Sequence, residues 1–223
     1  MSTKYNPRAV TNGLVICTDP ANINSYSGTG LTIRGLVSGI GATLVNGTTF
    51  NSSNNGIFVF DGTNDFILGD STSIDFTNDL SAEIWFNISG TVADWVRVIG
   101  KGDSSNRSFG FWYNTGINVF LYQRYGASST VSSTYSISIQ TNNWYHVIVT
   151  SSGSTHKLFI NGSEVQSQSG SGPFYSSSSP LRIGYGEIHS YLNGKTGFYR
   201  IYNRALTNQE VLQNYISTKK RYV

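Results

Sequence analysis

Apolar and polar residues alternate along this chain in short runs separated by turn residues, the period of two expected of strands with one buried face. The clearest run is Ala82-Glu83-Ile84-Trp85-Phe86-Asn87-Ile88, with Ala82, Ile84, Phe86 and Ile88 on one face and Glu83, Trp85 and Asn87 on the other. Further strands are predicted at 14–18, 57–60, 65–68, 96–100, 108–114, 119–125, 135–139, 144–150, 156–160, 181–184 and 197–202. Residues 20–35 and 38–49 read as loops with short extended pieces. Asn161-Gly162 predicts a hairpin turn, because both central residues of a type I′ turn need positive φ. Many short strands with no regular helices between them predict an all-β sandwich or jelly roll.

One helix is predicted, at the end. Thr207-Asn208-Gln209-Glu210 is a capping box, in which hydroxyl and carboxylate each satisfy an orphan N–H. Val211, Leu212, Tyr215 and Ile216 then form an apolar stripe expected to pack back on the sandwich. The helix is expected over 207–220, with the basic Lys219-Lys220-Arg221 run at its negative end. Met1 to Asn12 is polar, contains Pro7 and reads as an extended arm, which leaves 13–223 as one domain with no linker and no internal repeat.

Composition narrows the function. Of 223 residues only 12% are charged, against about 25% in ordinary domains. Aromatics make up 13%, which excludes a disordered chain. The 15 Lys and Arg are scattered among 12 Asp and Glu, so no basic stripe suggests a nucleic-acid partner. No apolar run approaches the ~20 residues of a membrane helix, and membrane insertion is not expected. Met1 to Ala9 lacks the apolar stretch of a secretory signal. The single cysteine, Cys17, excludes an internal disulfide framework and a Cys-based zinc cluster, and lies in an apolar run as a buried thiol would.

Three segments together resemble the laminin G-like, concanavalin A-type lectin/glucanase superfamily. They are Phe60-Asp61-Gly62-Thr63-Asn64-Asp65-Phe66-Ile67, then Trp144-Tyr145-His146-Val147-Ile148-Val149-Thr150 running on to Leu158-Phe159-Ile160-Asn161-Gly162, and Gly197 to Thr207 with the helix after it. The resemblance implies a concanavalin A-like jelly-roll β-sandwich. The opening, Val10 to Ile16 with Asp19 and Asn22, and then Leu44 to Asn51, is similar to proteins of marine and cyanobacterial tailed phages. That similarity implies a virion surface protein, either capsid decoration or a fibre or adhesin component, made in the host cytoplasm. Its implied partners are other virion proteins of capsid or tail, in many copies or as a homo-oligomer, and cell-surface glycans. Arg34 to Gly41 departs from the acidic and amide-rich loop usual in such sequences, which weakens a ligand role there. A free carbohydrate-binding module outside any virion is the competing expectation, and a glycoside hydrolase a third.

No catalytic constellation is legible. Hydrolases of the superfamily use clustered carboxylates on one strand, whereas Glu83 stands in its strand without a second acid two or four residues away. No cofactor is expected, with calcium as the one possibility. Asp61, Asn64 and Asp65 supply hard oxygens on a tight turn, but the same residues build such a turn through bonds to the backbone. His146 alternates with apolar neighbours and is expected to be buried and hydrogen-bonded, while His156 beside a turn is expected to be exposed. Aromatic faces stack on the C–H patches of sugar rings. Trp112, Tyr122 and Arg124, read as sharing the polar faces of adjacent strands, are therefore the candidate glycan-binding residues, with Tyr175, Tyr185 and Tyr191 in or near loops. The competing reading places most of the tyrosines as half-buried strand residues.

Overall fold

The computed structural model describes residues 8–69, 79–91, 94–103, 107–126, 130–170 and 173–223. Among these, sixteen strands form two antiparallel sheets of eight that pack face to face. The first sheet runs β14 (Ser163–Ser169), β13 (Thr155–Ile160), β12 (Trp144–Ser151), β7 (Leu80–Ile88), β16 (Asn193–Tyr202), β5 (Ile57–Asp61) and β4 (Thr49–Asn51). In it β5 pairs with the first half of β16, and β1 (Leu14–Thr18) with the second half. The second sheet runs β11 (Thr130–Ser136), β10 (Val119–Tyr125), β9 (Phe109–Asn114), β8 (Val96–Lys101), β15 (Leu181–Ile183), β6 (Phe66–Gly69), β3 (Ala42–Val45) and β2 (Thr32–Ile33).

The inner faces follow the predicted alternation. Ala82, Ile84, Phe86 and Ile88 of β7 join Phe109, Phe111 and Tyr113 of β9 and Phe120 and Tyr122 of β10 in one core. The Phe86 ring lies 5.8 Å from Phe111 and 6.0 Å from Phe120, so the two sheets meet through aromatic edges and faces. Each such side chain contributes roughly 1.5–3 kcal/mol on burial.

The outer face of β7 is buried as well, because the C-terminal segment lies across it. The helix α1 (Asn208–Thr218) starts on the predicted capping box, with Thr207 Oγ1 accepting from Glu210 N at 3.3 Å and the Glu210 carboxylate from Thr207 N at 2.9 Å. Its buried contacts are Val211 and Asn214, whereas Leu212 and Ile216 face solvent. The predicted stripe is thus rotated, since the sheet surface beneath is polar and receives Asn214. The chain then returns over Trp85, whose indole stacks on Tyr222 at 4.5 Å and donates Nε1–H to Thr218 Oγ1 at 3.0 Å.

Three other expectations shift. β11 occupies Thr130–Ser136, not 135–139, because the ladder from β10 fixes its register and needs no apolar side chains. β14 is an almost wholly polar strand that the Asn161-Gly162 hairpin supplies, both residues having positive φ. Gln166 of β14 donates to the Thr134 carbonyl of β11 at 2.9 Å and joins the two sheets along that edge. Of the expected arm, residues 8–12 are tied to the chain's own helix: Val10 is buried, its N–H donates to Asn214 Oδ1 at 2.8 Å, and Gln213 donates to the Arg8 carbonyl. Residues 1–7 lie outside the described residues.

Candidate functional site

The register of β9 against β10 separates the three residues expected to act together. Leu121 pairs with Trp112 and Tyr122 with Phe111, so Trp112 lies on the outer face of the second sheet while Tyr122 and Arg124 point inward. Tyr122 is 1% exposed in the core, and burial pushes its phenol up. Arg124 is buried with its guanidinium 4.7 Å from the Phe174 ring. Strand alternation is the physical reason: 112 and 122 fall on opposite sides in any register that pairs 112 with 121.

Around Trp112 the outer face forms an open cleft of about 350 Å³, lined by Trp95, Arg107, Trp112, Leu121, Gln123 and His189. Gly110, two residues before Trp112 and on the same face, makes room for the indole; a Cβ there would meet Trp112 Nε1 at 2.7 Å. The Trp112 Nε1–H is buried without a hydrogen-bond partner among the described residues. Arg107 stacks over this ring at 5.1 Å, Arg97 at 5.3 Å, and His189 meets it edge-on at 6.0 Å.

The polar groups of the cleft are held by one another. Arg107 Nε and Nη2 donate to the Glu187 carboxylate at 3.1 and 2.5 Å, and Nη1 to Tyr125 Oη at 3.3 Å. Tyr125 Oη donates to Gln123 Oε1 at 2.6 Å, and Gln123 Nε2 to Ser132 Oγ at 3.2 Å. Arg97 pairs with the other Glu187 oxygen. Burial, with Arg107 and Arg182 close by and only partly offset by Glu187, pulls the Arg97 guanidinium down to about 10. Residues 184–192 cross the outer face as a strap: Ser190 N–H donates to the Trp95 carbonyl, His189 Nδ1 lies 3.2 Å from Asp94, and Glu187 sits at φ 54°. Trp95, Arg107, Gln123, Glu187 and His189 escaped the sequence reading. They come from four separate chain segments, and no local pattern marks them as neighbours.

Two buried clusters lie elsewhere. Glu83, 0% exposed, accepts from His146 Nε2 at 2.9 Å, Arg200 Nη1 at 3.2 Å, Tyr202 Oη at 3.3 Å and Asn214 Nδ2 at 2.9 Å. Burial alone would raise its pKa, but the Arg200 charge and the His146 and Arg200 bonds hold it below the ordinary glutamate range. His146 is therefore buried and bonded, as expected. His156 is also buried, not exposed, with Nδ1 against Ser151 Oγ, because β13 faces the core where β11 closes over it. Its pKa is lowered by burial and by the Arg124 charge.

A family model described as the Concanavalin A-like lectin/glucanases superfamily matches residues 42–212. The chain belongs to this superfamily. Solved structures agree on the fold of this concanavalin A-like domain. The botulinum neurotoxin serotype G binding domain is 16% identical with a TM-score of 0.69, over 91% of this chain and 50% of that one. The binding domain of Paraclostridial Mosquitocidal Protein 1 is 16% identical with a TM-score of 0.71, over 91% and 52%. A Trypanosoma rangeli sialidase in complex with the inhibitor DANA is 14% identical with a TM-score of 0.68, over 99% and 36%. The chain thus spans about half the length of the toxin domains and about a third of the sialidase. No curated protein matches by sequence.

The calcium candidates of this concanavalin A-like domain fit a turn clamp. Asp65 is 2% exposed; its Oδ1 accepts from Gly47 N at 2.7 Å and its Oδ2 from Asp61 N at 3.0 Å. Asp61 Oδ1 accepts from Thr63 N at 2.7 Å, and the Asn64 carbonyl accepts from Asn46 Nδ2 at 2.6 Å. These oxygens are committed to donors within the protein, whereas a calcium cage needs six to eight oxygens directed at one point.

Proposed function

We propose that the chain is a non-catalytic glycan-recognition domain that binds through the Trp112 cleft. The observation that carries this reading is an open hollow on the outer face of a sheet, with the half-buried Trp95 ring at its wall, the buried Trp112 indole (2% exposed) behind Arg107, and a rim of side chains already fixed in a hydrogen-bonded chain. The Trp95 ring suits the C–H face of a sugar, and the fixed rim offers hydroxyl partners at low ordering cost. The carboxylates near it are poorly placed for hydrolysis. Glu187 is buried between two arginines and Asp94 is held at His189, whereas a glycosidase needs a proton donor and a second carboxylate flanking the bond. Glu83, the strand acid, is sealed beneath the helix. That the similar structures include toxin binding domains supports a recognition role over catalysis. A glycan array followed by calorimetry tests the reading: binding is expected for the wild type and lost in Trp95→Ala. Release of reducing ends from any bound glycan would overturn the non-catalytic part.

The finer placement we propose is the surface of a tailed-phage virion, as capsid decoration or as part of a fibre or adhesin. It is supported by the resemblance of the Val10–Ile16 and Leu44–Asn51 segments to such proteins. A multi-copy setting suits a shallow cleft, because repetition turns weak contacts into firm attachment. Immunogold labelling of purified particles tests it: label on heads or tail tips is expected, and particles free of label would leave a stand-alone carbohydrate-binding module.

A further inference from the structure

The charges around the cleft cancel in a particular way. Arg107 has all three nitrogens engaged, two on Glu187 and one on Tyr125. Arg97 is wholly buried and shares the same carboxylate. Among the described residues, the cleft is also lined by His189, which faces Asp94, while Asp103 and Arg182 behind Arg97 pair with each other. A ligand entering from solvent therefore meets the half-buried Trp95 ring, Gln123, His189 and a guanidinium whose charge is already answered from behind, with Trp112 buried beneath that guanidinium.

Glu187 does this from an unusual position. It stands at φ 54° in the strap, between Gly186 and Ile188, and its side chain turns inward to 2% exposure while Ile188 is 79% exposed. A left-handed conformation is disfavoured for a residue with a long side chain, and here two charge-assisted contacts hold it. Removing this one carboxylate would leave Arg97 and Arg107 as two adjacent cations without their shared counter-charge, Arg97 keeping only the nearby Asp103.

We infer that Glu187 is a selectivity residue that sets the cleft for neutral sugars, excluding acidic ones by occupying the arginine pair an acidic sugar would need. This rests on the cleft being a glycan site and adds the class of glycan. Glu187 touches no ligand; it acts as a positioning residue through Arg107, whose guanidinium it holds over Trp112. A ligand carboxylate would have to compete with an intramolecular one whose Oε2 already accepts from two Arg107 nitrogens, while a neutral ring needs only the surface beside Trp95.

The test uses the full chain and a paired array of neutral hexose oligomers and their C6-carboxylated counterparts. The wild type is expected to bind neutral members at least about tenfold tighter than their acidic partners, and Glu187→Gln to gain at least about tenfold on the acidic ones. Equal or tighter binding of acidic members by the wild type overturns the selectivity proposal and leaves the glycan site standing. Binding of neither class overturns both. Should Glu187→Gln fail to fold, salt dependence of wild-type binding decides. Neutral-glycan affinity is expected to change less than about twofold between roughly 50 and 500 mM NaCl, and a fall of about tenfold, the mark of an ionic contact, overturns the proposal.

Discussion

The Glu83 carboxylate accepts the Nε2–H of His146 at 2.9 Å across the β7–β12 ladder, and both side chains are sealed beneath α1. The two strands meet with 146 opposite 85, so the pair is diagonal, and Arg200, Tyr202 and Asn214 complete the ring around the acid. An acid that reads from sequence as an isolated strand residue is thus the fastener between sheet and helix.

Breaking that ring is expected to destabilise strongly. Glu83→Gln leaves Arg200 without its counter-charge in the interior, a change that costs about 3–5 kcal/mol in comparable buried pairs. Denaturant melts of the two proteins check this. Because the Glu83 pKa is lowered in the folded state, its contribution is present above the unfolded glutamate value near 4.3 and is lost as pH falls below it. The acid limb of the wild-type stability curve should flatten in the variant.

His156 predicts a second pH dependence, at milder acidity. Its folded pKa is lowered from 6.5, so the unfolded chain takes up the proton first. Stability is expected to be full above about 6.5 and to decline as pH falls below it. Melts at pH 7.5 and 5.5 compared with His156→Gln read this out; an equal slope in the variant would refute the assignment.

Trp95 and Tyr122 should respond in opposite ways. Trp95→Ala is expected to abolish glycan binding while the protein stays folded, whereas Trp112→Ala, at a position 2% exposed, also opens a cavity. Tyr122→Ala opens a core cavity and is expected to cost about 3–5 kcal/mol of stability. Loss of binding in Tyr122→Phe, which keeps the ring in the core, would contradict the inward placement.

Asp65 is expected to act as a clamp and not as a cation ligand. Asp65→Ala strips two backbone N–H groups of their acceptor and should cost about 1–3 kcal/mol for each left buried. The wild-type melting temperature should not move with millimolar calcium or chelator; a rise of several degrees with calcium would establish the metal reading.

Local chemistry made much of the fold legible. The alternation in 82–88, the Asn161-Gly162 turn and the Thr207–Glu210 box each state their geometry within a few residues, and the structure follows them. Partners brought from afar were not legible. The polar β14 carries no apolar period and exists because β13 turns back on itself. His156 looks like a residue beside a turn until β11 closes over it, and Leu212 looks inward until Asn214 claims the sheet. Trp112 and Tyr122 read from sequence as sharing a face because adjacent aromatic strands disclose their faces only once their register is known. Glu187 shows its role only after the strap lies between Arg97 and Arg107.

The placement of β16 has a consequence for how the protein comes into being. This strand is the last of the sixteen among the described residues, yet it lies in the middle of its sheet, with β7 on one side and β5 and β1 on the other. A ribosome therefore releases β1, β5 and β7 with no strand between them, and the apolar rows of Ile16, Phe60 and Ile84 wait for residues that have not yet been made. Closure of the first sheet is postponed until β16 has been made and enters the seam, and α1 follows to cover it. A nascent chain stalled before residue 193 should remain open along this line and bind chaperones, while one released a few dozen residues later should not.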